Sequence, residues 1–239
     1  MTKIYEALEQ AGQARTDDTG PLEPFQPSEA TLYSGAPKME GRMIGLYHTI
    51  SSLLPSHRGK IIQFIGSRRG EGTSTLVREL ANVSTLNLGK SVLLLDADHY
   101  HFSLSNRIGV TPRYTWEELL LANRPVTEAL CSVGTAGLHI SQIIVPAVLE
   151  APQFPEALSE LKNDFDLILI DSPPATMSPD GIALAAEADG VILVVEAECT
   201  RWQVAGSVRD DIAKQGGNLL GVVFNRRRYH IPPFVYKRL

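Results

Sequence analysis

The chain has 239 residues, 44% hydrophobic and 21% charged, enough for one large α/β domain with an appendage and a core that needs no staples. Its 22 basic and 27 acidic side chains leave a formal net charge of −5, which argues against nucleic-acid binding over the whole surface. No run approaches the ~18 apolar residues of a transmembrane helix. The start, Met1-Thr2-Lys3-Ile4-Tyr5-Glu6, has no basic-then-apolar leader, and Cys131 and Cys199 make neither a CxxC nor a disulfide framework. A soluble cytoplasmic protein with reduced thiols is expected.

Residues 3–14 have helical spacing, with Ile4, Ala7, Leu8 and Ala11 on one face. From Arg15 to Pro37 the chain is rich in proline and acids and poor in large apolar groups, so a flexible linker is expected. Met39–Leu54 returns to helical spacing, with Met43, Leu46, Tyr47 and Ile50 on one stripe, until Pro55 stops it. A buried strand follows at Lys60–Ile65, then a glycine-rich loop and a helix over Ser74–Leu88. Further strands are expected at Ser91–Leu95, weakly at Leu138–Ile143, and at Asp166–Ile170, Gly190–Glu196 and Asn218–Phe224. Helices are expected near Pro155–Asn163 and Trp202–Lys214. Apolar strands alternating with helices predict an α/β fold, a doubly wound and mostly parallel sheet covered on both faces. Ligands of such sheets sit beyond the carboxyl ends of the strands.

Chemistry-bearing residues cluster at those ends. Between the first strand and its helix runs Gly66-Ser67-Arg68-Arg69-Gly70-Glu71-Gly72-Thr73-Ser74-Thr75. Glycines there let successive N–H groups converge, and the helix adds its positive end, a geometry that cradles phosphates. Against the P-loop pattern, Gly72 is the second glycine, Ser74 the magnesium hydroxyl and Thr75 the α-phosphate contact. Ser67 stands at the first glycine position and Thr73 at the lysine position, so the main cation for the β/γ-phosphates is absent. A degenerate dinucleotide fingerprint (Gly70, Gly72, then Asp96) and a purely structural glycine turn are the alternatives. The first leaves a later motif around Asp171 unexplained.

Leu93-Leu94-Leu95-Asp96-Ala97-Asp98 puts two carboxylates just past a strand end, where they can hold a magnesium-bound water and orient a nucleophile. Leu167-Ile168-Leu169-Ile170-Asp171-Ser172-Pro173-Pro174 repeats the arrangement on another strand. His99 and His101 make a His-x-His pair without an evident third ligand.

This constellation resembles the bacterial tyrosine autokinases (CpsD/CapB-like), within the MinD/ParA-like ATPases with deviant P-loops. The likeness runs from about Met39 to Asn225 and includes Asp180, the run Asp189–Val195, Thr200-Arg201 and Leu220-Gly221-Val222-Val223-Phe224-Asn225. The opening Lys3-Ile4-Tyr5-Glu6-Ala7-Leu8 looks like the start of ATPases that serve exopolysaccharide export. The resemblance implies ATP and Mg²⁺ as cofactors. It implies that Ser67 to Thr75 bind nucleotide, that Ser74, Asp96 and Asp171 organise magnesium (partly through water), that Asp98 is the base, and that Asn225 lies near the adenine. It also implies work with a membrane polysaccharide co-polymerase in exopolysaccharide synthesis or export, at the inner face of the cytoplasmic membrane, with a homo-oligomer left open.

The sequence also departs from the family. Thr73 replaces the lysine, and His99-Tyr100-His101-Phe102 stands where an arginine-rich run is usual. Glu40-Gly41-Arg42-Met43-Ile44-Gly45-Leu46 does not reproduce the oligomer-forming Glu-x-x-Arg-x-x-Arg helix, and the C-terminal tyrosine cluster shrinks to Tyr229 and Tyr236. Three functions therefore stay open: a tyrosine kinase or ATPase, a catalytically inactive nucleotide-dependent scaffold or regulator, and a partitioning-type ATPase, which the acidic charge disfavours. The expected division is a short helix at 1–14, a linker at 15–37, a P-loop ATPase/kinase-like domain at 38–226 and a basic tail at 227–239. That tail, with Arg226 just before it, carries Arg227, Arg228, Lys237 and Arg238 and no acid; it is either solvated or docks on an acidic partner or membrane surface.

Overall fold

A seven-stranded sheet in the order β3-β4-β2-β5-β1-β6-β7 organises the chain. The strands are β1 (Lys60–Gly66), β2 (Val92–Asp96), β3 (Cys131–Val133), β4 (Leu138–Gln142), β5 (Leu167–Ser172), β6 (Gly190–Glu196) and β7 (Leu219–Asn225). All pairings are parallel except the edge hairpin of β3 with β4. The computed structural model describes residues 37–54, 59–98, 112–134 and 137–227. The expected helix at 3–14, the linker up to residue 36, Pro55, His99-Tyr100-His101-Phe102, Tyr229, Tyr236 and the tail from Arg228 lie outside the described residues.

The helices are α1 (Pro37–Leu53), α2 (Thr73–Leu86), α3 (Trp116–Leu121), α4 (Val145–Leu149), α5 (Phe154–Glu160), α6 (Asp180–Ala183) and α7 (Trp202–Lys214). α1 begins two residues before the expected Met39, at a proline, which suits the first turn because its missing N–H has no partner there anyway. The helix expected over Pro155–Asn163 is α5 followed by a 3₁₀ turn at Leu161–Asn163. The strand β3 and the helices α3, α4 and α6 lie outside the expected set. α3 begins at a capping box in which the Thr115 hydroxyl and Glu118 carboxylate accept each other's backbone N–H.

Side chains alternate across the sheet, so each strand feeds two cores. Ile62, Phe64, Leu94, Leu169 and Val194 pack under α1 and α2 with Met43, Ile50, Leu76 and Leu80. Ile61, Leu93, Leu95, Ile168 and Ile170 face the other way, against Trp116, Leu119, Phe154 and Leu158. Leu193 and Val195 meet Val208 and Ile212 of α7. Helices therefore cover both faces, which is why the strands read as continuous apolar runs rather than as an alternation. The Asp189 carboxylate closes the start of β1, accepting the Ile61 N–H at 2.8 Å and the Lys162 ammonium at 2.6 Å. The doubly wound, mostly parallel fold is as expected. No helix among the described residues is long and apolar enough to cross a membrane.

Candidate functional site: a glycine loop facing two buried carboxylates

The chain leaves β1 for β2, passing over β5, and later returns to β6 on the other side of β1. The carboxyl end of β1 is thus the switch point of the sheet. There Gly70 and Gly72 adopt φ of 88° and 86°, the left-handed region that glycine enters without penalty. Gly72 precedes α2, and no side chain caps that helix. Its first N–H groups have no intrahelical acceptor, and they carry the positive end of the helix dipole. A Cβ placed on Gly70 would meet nothing within 4 Å, so the crest of the loop opens into free space.

The loop is held from behind. Glu71 is buried, 2% exposed, and its carboxylate accepts the Ser67 hydroxyl at 2.7 Å, the Arg68 N–H at 2.9 Å and the Thr200 hydroxyl. The Asn225 amide donates to the Glu71 carbonyl at 2.8 Å, bracing the loop against the end of β7. Ala175 N–H donates to the Gly66 carbonyl and Thr176 N–H to that of Ser67, tying the loop to the segment after β5. Glu71 and Asn225 thus shape the cradle through the backbone. Arg68 turns to the β6–α7 loop, donating to the Cys199 carbonyl at 2.8 Å and the Thr200 hydroxyl at 3.3 Å. Arg69 stands exposed at the rim.

Asp96 and Asp171 lie opposite each other in the parallel register of β2 and β5 and are 2% and 1% exposed. Counting by twos from Leu94 and Leu169 puts both carboxylates on the α2 face of the sheet, towards the glycine loop. The Ala97 N–H continues the ladder to the Asp171 carbonyl at 2.9 Å, and the Asp98 N–H reaches the Asp96 carboxylate at 3.3 Å. One cavity of about 270 Å³ brings Arg68 through Thr75 together with Asp96, Asp98 and Asp171. Ser172, Pro174 and Arg226 also line it. Asn225 touches the loop from outside this cavity, and Ser67 lies beneath it.

The site fits a magnesium nucleotide in most respects. A serine hydroxyl and carboxylates are the hard oxygen donors magnesium takes, and the metal ordinarily completes its shell with water and phosphate. Among the described residues no group of three or more His, Cys, Asp or Glu forms a metal cage by itself. The open helix end and glycine crest suit phosphate. What the loop lacks is its lysine: Thr73 occupies that place, with its hydroxyl only 2.8 Å from where a Cβ on Gly66 would sit.

The sequence marks Thr200 only as part of the family likeness and Arg226 only as a charge near the tail. The structure shows that the Thr200 hydroxyl completes the Glu71 hub and that Arg226 lines the cavity.

These features define a P-loop ATPase fold of the MinD/ParA type. No family model matches the chain. It is 28% identical over 173 residues to the tyrosine-protein kinase CpsD of Streptococcus agalactiae, spanning 70% of this chain and 75% of that one. The VpsO kinase domain superposes with a TM-score of 0.66 at 25% identity, covering 80% of this chain and 95% of that domain. The cell division ATPase MinD of Pyrococcus furiosus superposes with a TM-score of 0.59 at 26% identity, over 75% of this chain and 78% of MinD. The chain is thus similar in sequence to bacterial tyrosine kinases of the CpsD type, and in fold to these kinase domains and to the MinD-type P-loop ATPases.

Proposed function

We propose that the chain binds Mg-ATP at the glycine loop and acts as a tyrosine-autokinase-like protein. It works with a membrane polysaccharide co-polymerase in exopolysaccharide biosynthesis or export. The observation that carries the nucleotide reading is the buried pair Asp96 and Asp171, side by side on the face of the sheet that holds the uncapped start of α2. In this reading the N–H groups of residues 70–75 bind the phosphates, and Ser74, Asp96 and Asp171 hold the magnesium, partly through water. When bound, magnesium neutralises charge on the transferring phosphoryl group. Asp98, at the mouth of the cavity, accepts the proton of the attacking hydroxyl. Kinship with CpsD supports tyrosine as the source of that hydroxyl.

One observation favours a second reading, a nucleotide-dependent scaffold without turnover: Thr73 stands in place of the lysine. Losing an ammonium whose phosphate partner is desolvated costs about 2–5 kcal/mol. Titration of the purified protein with ATP and ADP, with and without Mg²⁺, tests the shared premise. Phosphate release and phosphotyrosine formation, with and without the cytoplasmic segment of the membrane partner, separate the two readings. Absence of binding at millimolar nucleotide removes both.

A further inference from the structure

We propose that Arg226 supplies the phosphate-directed cation missing from the lysine position at Thr73, and that Glu196 holds its guanidinium in reserve when no anion is bound. The proposal rests on the nucleotide reading above and assigns a specific group within it. Arg226 follows β7 directly and lines the same cavity as Gly70, Gly72 and Ser74. Its φ is 55°, a left-handed conformation that costs a residue with a Cβ and persists only where the surroundings enforce it.

Those surroundings are part of the site. The Arg226 N–H donates to the Asn225 side-chain oxygen at 2.9 Å, while the amide nitrogen of the same side chain holds the Glu71 carbonyl. One asparagine therefore sets the phosphate loop and the direction of the arginine together.

The guanidinium is placed to move. Its Nη1 lies 3.6 Å from the Glu196 carboxylate, an ion pair longer than a hydrogen bond, and its side chain is 54% exposed. Such a pair is weak in water and yields to a stronger anion. A di- or triphosphate carries more charge and takes the planar fork of arginine in a bidentate grip. The Nη2 of Arg68 is already engaged by the Cys199 carbonyl and the Thr200 hydroxyl, which turns that guanidinium towards the β6–α7 loop. Arg69, exposed at the rim, is the competing candidate.

Arg226→Gly tests this without threatening the fold, because glycine relieves the left-handed backbone. Calorimetric titration of the full chain with Mg-ATP, pyrophosphate and adenosine gives the readout. The expected result is a loss of about tenfold or more in affinity for Mg-ATP and pyrophosphate, equivalent to about 1.4 kcal/mol. Adenosine binding and the thermal midpoint should hold or rise. Glu196→Gln should tighten Mg-ATP binding in the wild-type background and have no effect in the Arg226→Gly background, the non-additivity expected if it acts through the arginine.

Equal affinities of wild type and Arg226→Gly for pyrophosphate overturn the proposal and leave the nucleotide reading standing. So does a larger loss from Arg69→Ala, which would give the role to Arg69. If the wild-type protein binds neither Mg-ATP nor pyrophosphate, the nucleotide reading itself fails, and the assignment of Arg226 falls with it.

Discussion

Asn225 and Gly72 meet at the carboxyl end of the sheet so closely that a Cβ on the glycine would lie 2.4 Å from the Asn225 amide nitrogen. The same nitrogen donates to the Glu71 carbonyl, across 154 residues of sequence. The loop thus owes its shape both to its glycines and to a side chain at the end of the last strand.

Gly72→Ala should therefore be costly for two separable reasons. The left-handed backbone adds about 1–2 kcal/mol of strain for any residue with a Cβ, and the Asn225 contact adds a clash. Urea unfolding should show the loss, and nucleotide titration should show a parallel fall in affinity. Adding Asn225→Ala should relieve the clash but also remove the bond to the Glu71 carbonyl, so stability recovers only in part while binding does not recover.

Glu71→Gln should loosen the loop. The carboxylate gathers the Ser67 and Thr200 hydroxyls and the Arg68 N–H in a buried place. Replacing it leaves some of these groups without an acceptor, at a cost of about 1–3 kcal/mol. Thr200→Val should cost less, about 0.5–1.5 kcal/mol. The two changes together should cost less than their sum, because they share one interaction. Strict additivity in denaturant unfolding would mean that the hub does not act as a unit.

Thr73→Lys should raise ATP affinity or turnover by about tenfold or more, since a positioned cation on the transferring phosphoryl group is the main lever the site lacks. Asp171→Asn should remove whatever Mg²⁺-dependent turnover exists while keeping the volume of the side chain. If Thr73→Lys changes neither binding nor turnover, Thr73 is not the lysine position of a working phosphate loop.

Ser141→Ala should destabilise the face of the sheet remote from the site. The Ser141 hydroxyl accepts the Trp116 indole N–H at 2.9 Å and donates to the Ala129 carbonyl at 2.8 Å, with both side chains fully buried. Removing it strands an indole donor and a carbonyl, for about 1–3 kcal/mol. The chain has two tryptophans, and Trp202 is largely exposed. Trp116 emission in a Trp202→Phe background should therefore follow the change, with nucleotide affinity unaltered.

Some of this architecture is set by local chemistry and can be read from the chain. Strands β1, β2, β5 and β6 are largely apolar runs, because a strand buried on both faces needs apolar groups at nearly every position. β7 is also an apolar run, but as the edge strand it leaves Phe224 exposed. α2 and α7 follow from spacing, and the glycine crest follows from the residues that tolerate a left-handed backbone. Even the missed α3 carried its signal, since Thr115 and Glu118, three residues apart, precede the apolar Leu119-Leu120 as a capping box does. By contrast, β3 is too short to display a period, and it forms because β4 offers an edge to pair with.

The sequence could place Asp96 and Asp171 at strand ends, but only the order of strands makes β2 and β5 neighbours and sets the two carboxylates in one register. Likewise Arg68 and Glu71 read as nucleotide contacts from their position in the loop. Tertiary structure also joins them to Cys199 and Thr200, residues of a loop that β6 carries to the same place. Arg226 reads as a charge at the start of a basic tail until the sheet brings the end of β7, one strand beyond β6, within reach of the loop that follows β1. Local propensity is decided by neighbours a few residues apart, so the chain could state its elements. Which side chains share a cavity is decided by crossovers that bury the greatest apolar area, and those no short stretch of sequence encodes.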